Sequence, residues 1–420
     1  MTALRVPDFR RLWLAGLISD TGDWLLMISL PILVYQYTGS TFGTAAAFLI
    51  ELAPPVLLAP LSGRLADRLD RRRTLLVVSL GQAAALAPLL LVHDRGGLAI
   101  LYAVIAVQAS LAALFQPTKS ALLPTLVAPD RLVSANSLVG LNQNIGRLVG
   151  GPLGGLLLAA GGVSTIVAID AASFLLAFAL IARLAPQDPA PLAAHDDGAR
   201  AGWRATLRPR PIRCALLVLL TASAAQGIFV VLFVVFVAQR LHGDAAEIGL
   251  LRGVQGIGAI AGGLALGLAG RMAPGRLTAY AALAFGVLSL AIWNAPGVSI
   301  AEPLYLALFI AAGVPGVGLM TGLVSMLQQA TADGQRGKAF AIAGVAASVG
   351  EAIGMFAAGL LGDPLGVVAI LDAQGALYLV AGLLAMVWLT EPASVRRAWS
   401  RRSSPRPPTS APGSSATTTA

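Results

Sequence analysis

Twelve apolar runs, each close to the ~20 residues that a helix needs to cross a bilayer, leave this chain little choice of fold. They lie at about 11–37, 43–66, 74–93, 97–117, 134–160, 163–184, 213–238, 246–270, 277–294, 300–329, 338–360 and 366–390. In lipid every backbone N–H and C=O must find its partner inside the protein, so runs of this kind fold as helices. The expected fold class is all-α integral membrane. Composition agrees: 57% of the 420 residues are hydrophobic and mean hydropathy is +0.79, more apolar surface than a water-soluble fold of this size can hide.

Only 12% of the residues are charged, and the net charge of +9 is carried by loops and the tail. With both termini placed in the cytoplasm, the inner segments hold 25 of the 29 lysines and arginines. The outer loops hold two, Arg95 and Arg240, and Arg147 and Arg252 fall within spans. Such a split fixes the orientation. The basic residues then face anionic lipid headgroups, and no nucleic-acid partner is expected. The single cysteine, Cys214, excludes an internal disulfide or a thiolate cluster, and His93, His195 and His242 are far apart, so no metal and no cofactor are expected. No cleavable leader is expected either, since the first run is long and contains Asp20 and Asp23.

A soluble connection at 185–212, carrying Pro186, Pro189 and Pro191 and an arginine-rich surround, divides the runs six and six. The expected organisation is a six-helix bundle over 1–184, a cytoplasmic linker over 185–212, a second bundle over 213–392 and a disordered cytoplasmic tail over 393–420. The halves are related in sequence. A shift of 204 carries Gly140, Gly146, Gly150 and Gly155 onto Gly344, Gly350, Gly354 and Gly359. It also carries Glu51 onto Gln255, Gly63 onto Gly267 and Arg147 onto Glu351, while a shift of 202 carries Asp170 onto Asp372. A parallel repeat of six spans implies two pseudo-symmetric bundles with a path between them.

The loop between the second and third runs, Gly63 to Arg73, concentrates five arginines with Asp67 and Asp70. Gly63, Asp67, Arg68, Arg71 and Arg72 are spaced as in the signature of the major facilitator superfamily of secondary transporters, which the chain resembles over about 1–392; Asp70 stands where that signature usually has glycine. Further features resemble the bacterial drug and siderophore exporters of the superfamily: Ser19-Asp20-Thr21-Gly22-Asp23-Trp24, Phe115-Gln116-Pro117 with Ala121-Leu122-Leu123-Pro124 after span 4, Arg131, Ala135-Asn136, and Asn144 to Gly155. The resemblance implies a multi-pass protein of the bacterial plasma membrane. It also implies that Asp67 and the arginines close a cytoplasmic gate, a role suited to a carboxylate that accepts guanidinium forks and caps a helix.

Gly146, Gly150, Gly154 and Gly155 are expected to let helices pack closely. The antiporter signature on this span has a Gly-Pro pair, two residues and Gly-Gly. Here Gly151-Pro152 is followed by Leu153 alone, which moves any kink by about 100° round the helix. Arg147 lies 13 residues beyond Ser134, roughly 20 Å along the helix, where a charge faces a cavity or a partner. Glu351, at the equivalent place, is either its partner or the other end of one binding site. Asp20, Asp23 and Glu51 are further deep acids, and burial suits such groups to carry protons; the competing reading is a structural network of buried ion pairs. Asp170 and Asp372 are read as structural.

Gly337-Lys338 does not make a nucleotide loop, because Ala332 and Ala339 occupy its required positions, and Gly256-Ile257-Gly258 lies within an apolar run. Nothing pairs a nucleophile with a base, so no enzyme is expected. The function expected is proton-coupled efflux of small amphipathic compounds by a monomer, along a path lined by spans 1, 2, 4, 5, 7, 8, 10 and 11. The alternatives are an importer or lipid translocator of the same fold and, in a different class, a non-transporting membrane sensor or scaffold.

Overall fold

The computed structural model describes residues 3–185, 206–268, 272–331 and 335–389, with the backbone alone at 60, 63–68 and 133. Among them run α1 (Pro7–Thr38), α2 (Thr41–Arg68), α3 (Arg71–Ala85, extended by a 3₁₀ turn at Ala87–Leu91) and α4 (Leu98–Leu126). A 51-residue helical stretch, Leu132–Ala182, follows. At 1.5 Å per residue that is about 76 Å, more than twice a ~30 Å hydrocarbon core. Gly162 breaks it, with φ +64° and ψ −162°, values open to glycine and not to an L side chain. The two parts are α5 (132–161) and α6 (163–182). The second half consists of α7 (Arg210–Phe236, continued by a π turn to Leu241), α8 (Ala245–Leu268), α9 (Pro274–Asn294), α10 (Glu302–Ala330), α11 (Arg336–Leu365) and α12 (Val367–Leu389). Twelve spans thus stand where twelve apolar runs were expected.

Two boundaries differ from the sequence expectation. Helix α4 does not stop at 117 but continues through Pro117 to Leu126, so Phe115-Gln116-Pro117 lies inside the span and Lys119 becomes a membrane residue. One of the 25 cations assigned to inner segments is therefore buried. Arg210 to Ile212, assigned to the linker, begin α7. Residues 186–205 of the linker and the tail from 390 lie outside the described residues.

The repeat at offset 204 reappears as geometry. On α5, Gly146, Gly150 and Gly154 meet the α1 backbone at Asp20, Thr21 and Leu25; on α11, Gly350 and Gly354 meet the α7 backbone at Leu220 and Ala224. Gly155 faces Ala245 and Gly249 of α8, and its counterpart Gly359 faces Phe42 and Ala45 of α2. The halves therefore meet along α5–α8 and α2–α11.

The core is lopsided. At the end away from the chain termini one apolar cluster runs unbroken through both halves, joining Leu25–Val34, Ala45–Phe48, Ile228–Val237 and Ala245–Val254. At the terminus end it splits. One cluster belongs to α7, α9, α10, α11 and α12, and two smaller ones to the first half. The sealed end also carries a polar tie: the Asp363 carboxylate accepts from the Thr41 backbone N–H at 3.2 Å, and the Thr41 hydroxyl donates to the Gly359 carbonyl at 3.1 Å.

These contacts separate two kinds of glycine. A Cβ at Gly150 or Gly354 would run into the carbonyl of Thr21 or Ala224, whereas Gly140 and Gly344 have open space. Thermal melts in detergent should show Gly354→Ala destabilised by about 1–3 kcal/mol or more, as for an overpacked core. Gly344→Ala should be unchanged or stabilised by up to ~1 kcal/mol through helix propensity. Equal melts for the two variants would contradict the close approach.

Candidate functional site

A cavity of about 500 Å³ lies against the second half, walled by α7, α8, α10 and α11 and by Asn144 and Arg147 of α5. Two outer helices, not expected on the path, also reach it through Phe285 of α9 and Tyr378 of α12. Its charges are Arg147, Arg252 and Glu351. Arg252 is 8% exposed, stands over the Phe229 ring with 4.8 Å to the centroid, and donates to Gln255 Oε1 at 3.4 Å. Tyr378 donates its hydroxyl to Gln226 at 3.2 Å and stacks on Phe285 with 4.5 Å between centroids. Beyond Phe229 a chain of rings, Phe233, Phe236, Trp293 and Phe309, fills the sealed end of this half.

The direct Arg147–Glu351 pair, one of the two expectations for these residues, is not formed: among the described residues no carboxylate lies within 4.0 Å of Arg147. The two line one cavity instead. The Arg147 Nε is buried with no hydrogen-bond partner. The charges of Arg147 and Glu351 both bear on Arg252, the first repelling it and the second attracting it.

Asp23 and Glu51 share a smaller pocket of about 110 Å³ in the first half, with Gln108, Met27 and Ala112 in its wall. It is the pseudo-symmetric counterpart of part of the large cavity, since adding 204 to Glu51, Gln108, Ala109 and Ala112 gives Gln255, Ala312, Gly313 and Gly316, all of which line the latter. Glu51 lies close enough across the α2–α11 interface for the charge of Glu351 to act on it.

Asp20 does not join Asp23 in that pocket. Its carboxylate receives Lys119 Nζ at 3.1 and 3.3 Å and Gln116 Nε2 at 2.9 Å, and both charged side chains are 3% exposed. Lys119 and Gln116 are absent from the sequence-based site. The available signal was the apolar stretch Ala121 to Leu126 beyond Lys119, which extends the span past it. Asp170 is fully buried, accepts from Ser173 at 3.0 Å and faces Gly22 of α1. Asp372 accepts from Asn294 at 2.8 Å. The second carboxylate oxygen of Asp170 is buried without a partner among the described residues.

In the basic loop, the side chains of Gly63, Asp67 and Arg68 lie outside the described residues. Arg71 is half-buried at the start of α3. Arg72 donates to the Ala182 carbonyl at 2.6 Å and so ties α3 to the end of α6 within one half. Asp70 caps α3, accepting from the Arg73 N–H at 2.9 Å, which accounts for an aspartate where the signature has glycine.

A family described as transmembrane secretion effector matches residues 1–411. The chain belongs to this family of major facilitator superfamily transporters. Among its relatives is the enterobactin exporter EntS of Shigella boydii, 29% identical over 407 residues and 92% of each chain. An uncharacterised MFS-type transporter of Bacillus subtilis, YfiS, is 30% identical over 172 residues, which is 41% of this chain and 40% of that protein. In fold the chain is similar to a bacterial homologue of the iron transporter ferroportin in an inward-facing state, with a TM-score of 0.75, 20% identity and coverage of 92% and 99%. It is also similar to a bacterial homologue of the lysosomal transporter Spinster, with a TM-score of 0.70, 13% identity and coverage of 91% and 97%. The family member is thus an integral membrane transporter of small molecules, not an enzyme.

The Asp20–Lys119 pair has a stability consequence. Removing one partner of a buried pair strands the other and costs about 3–5 kcal/mol, whereas removing both is close to neutral. Lys119→Met should therefore lower the melting temperature strongly and Asp20→Asn with Lys119→Met should recover most of the loss. A double variant as unstable as the single would show that the pair is not what holds α1 to α4.

Proposed function

We propose that the chain is a proton-coupled exporter of small amphipathic compounds in the bacterial plasma membrane, with both termini cytoplasmic. The observation that carries this reading is the cavity itself: charged and aromatic side chains from both halves converge on it, while the shared core closes the end away from the termini. With the termini inside, as the arginine distribution favours, this is the state in which cargo enters from the cytoplasm. The full-length similarity to an enterobactin exporter supports the outward direction.

In the cycle we propose, the two halves rock about the close α5–α8 contact, where Gly155 meets Ala245 and Gly249, while α2 and α11 part and rejoin. Asp363 holds the outer ends of α2 and α11 together in the state described. Asp67, near the inner end of α2, does the same for the opposite state. Asp23 and Glu51, in a pocket apart from the large cavity, take up protons when outward access opens and release them inside; Glu351 links that pocket to the cargo cavity.

Cells producing the chain should accumulate less of at least one dye or drug in a panel than cells without it, and an uncoupler should abolish the difference. In proteoliposomes, Asp23→Asn and Glu51→Gln should each reduce gradient-driven flux by tenfold or more while leaving counterflow intact. Flux unchanged in both variants removes the proton assignment; uptake instead of efflux in oriented vesicles makes the chain an importer. Asp67→Asn should slow both modes several-fold by weakening closure of the inner end. If flux in that variant equals the parent's, the loop serves only to orient the chain in the membrane.

A further inference from the structure

We propose that the large cavity is a recognition site for an organic anion, a carboxylate or equivalent acid carried on an aromatic body, with Arg147 and Arg252 as its cationic walls. This deepens the transport reading, on which it rests for the cavity being the cargo site. The first ground is charge balance. Three charged side chains line the cavity, two guanidinium groups and one carboxylate, so it carries one net positive charge. Among the described residues neither arginine has a carboxylate within 4.0 Å. A charge held at membrane depth is costly until it is paired, and the deficit is met by one negative charge from outside the protein.

The second ground is unused hydrogen-bonding capacity. A guanidinium offers five N–H donors in a rigid fork. Arg252 spends one on Gln255 at 3.4 Å and stands over the Phe229 ring. Arg147 has a buried Nε with no acceptor. Arginine, unlike lysine, matches the two oxygens of a carboxylate in one plane.

The third ground is the apolar remainder of the wall. Phe229, Phe285 and Tyr378 offer ring faces, the last two already stacked on each other. The volume of about 500 Å³ falls in the range of small-molecule sites, roughly 300–1,000 Å³. The pseudo-symmetric pocket in the first half has Glu51 where this one has Gln255, and no cation lines it, so the positive character belongs to the larger cavity, with one arginine from each half.

The test uses the full-length protein in nanodiscs and three probes of one shape: 2-naphthoate, its amide and 2-naphthylmethylammonium. Equilibrium dialysis should give naphthoate at least tenfold tighter binding than the amide, with the cation weakest. Arg147→Gln should remove that preference and leave amide binding unchanged. Arg252 packs against Phe229, so its loss also perturbs folding; Glu351→Gln supplies the second variant and should tighten naphthoate several-fold by removing the competing carboxylate. The proposal is overturned by naphthoate binding no tighter than the amide up to millimolar concentration, by a preference that survives Arg147→Gln, or by a Glu351→Gln variant that binds naphthoate no better than the parent. Selective naphthoate binding by a chain that moves no dye would keep the site and remove the exporter reading. Efflux of cationic dyes without anion preference would do the reverse.

Discussion

Backbone-to-backbone contact at the glycines of α5 and α11 is the constraint on which the remaining geometry depends. Lipid gives apolar side chains no reason to leave it for one another, so helices associate through close van der Waals packing. Gly146, Gly150 and Gly154 set α5 against α1, and Gly350 and Gly354 set α11 against α7. The opposite faces of the same two helices then cross to the other half, at Gly155 and Gly359. One helix in each half thereby fixes both the internal packing of its bundle and the position of its partner bundle, and the cavity is the space those four contacts leave at the terminus end.

The repeat preserves this backbone and changes the chemistry laid upon it. Glu51 and Gln255 occupy equivalent places, as do Arg147 and Glu351, and each pair faces the central space from opposite halves. The first half keeps acids in a small pocket of its own. The larger cavity takes one arginine from each half, Arg147 and Arg252, and its rings from the second. A symmetric scaffold with unsymmetric lining can treat two species differently while a single rocking motion exposes both.

Spans, repeat and glycine contacts were legible in the sequence because each follows from a rule with no alternative in lipid. Backbone groups must be satisfied, so the apolar runs become helices; even the break at Gly162 falls between the runs ending at 160 and starting at 163. What was not legible depends on which way a side chain points. Lys119 looked like a cation at the end of a run, yet α4 continues to Leu126 and turns it onto Asp20. Arg147 and Glu351 were placed at equivalent depth, which periodicity can do, but whether they touch depends on the angle between α5 and α11, which it cannot. Phe285 and Tyr378 reach the cavity from helices that sequence logic assigns to the periphery. Hydropathy fixes which segments cross the membrane; it carries little information about azimuth when a helix is apolar all round.

The separation of acids from cations has an electrical consequence. Moving one elementary charge across the membrane is worth about 2.3 kcal/mol per 100 mV. With the interior negative, a proton entering and a monovalent anion leaving both run down that field, so a one-for-one exchange gains about twice as much, ~4.6 kcal/mol per 100 mV. A neutral cargo would draw on the proton alone, and a cationic one would cancel it. Housing both species in one pocket would let each neutralise the other and favour their crossing together. Keeping Asp23 and Glu51 in the first half and Arg147 with Arg252 around the larger cavity lessens that mutual attraction, and the two species are then free to travel in opposite directions on alternate strokes of the same motion.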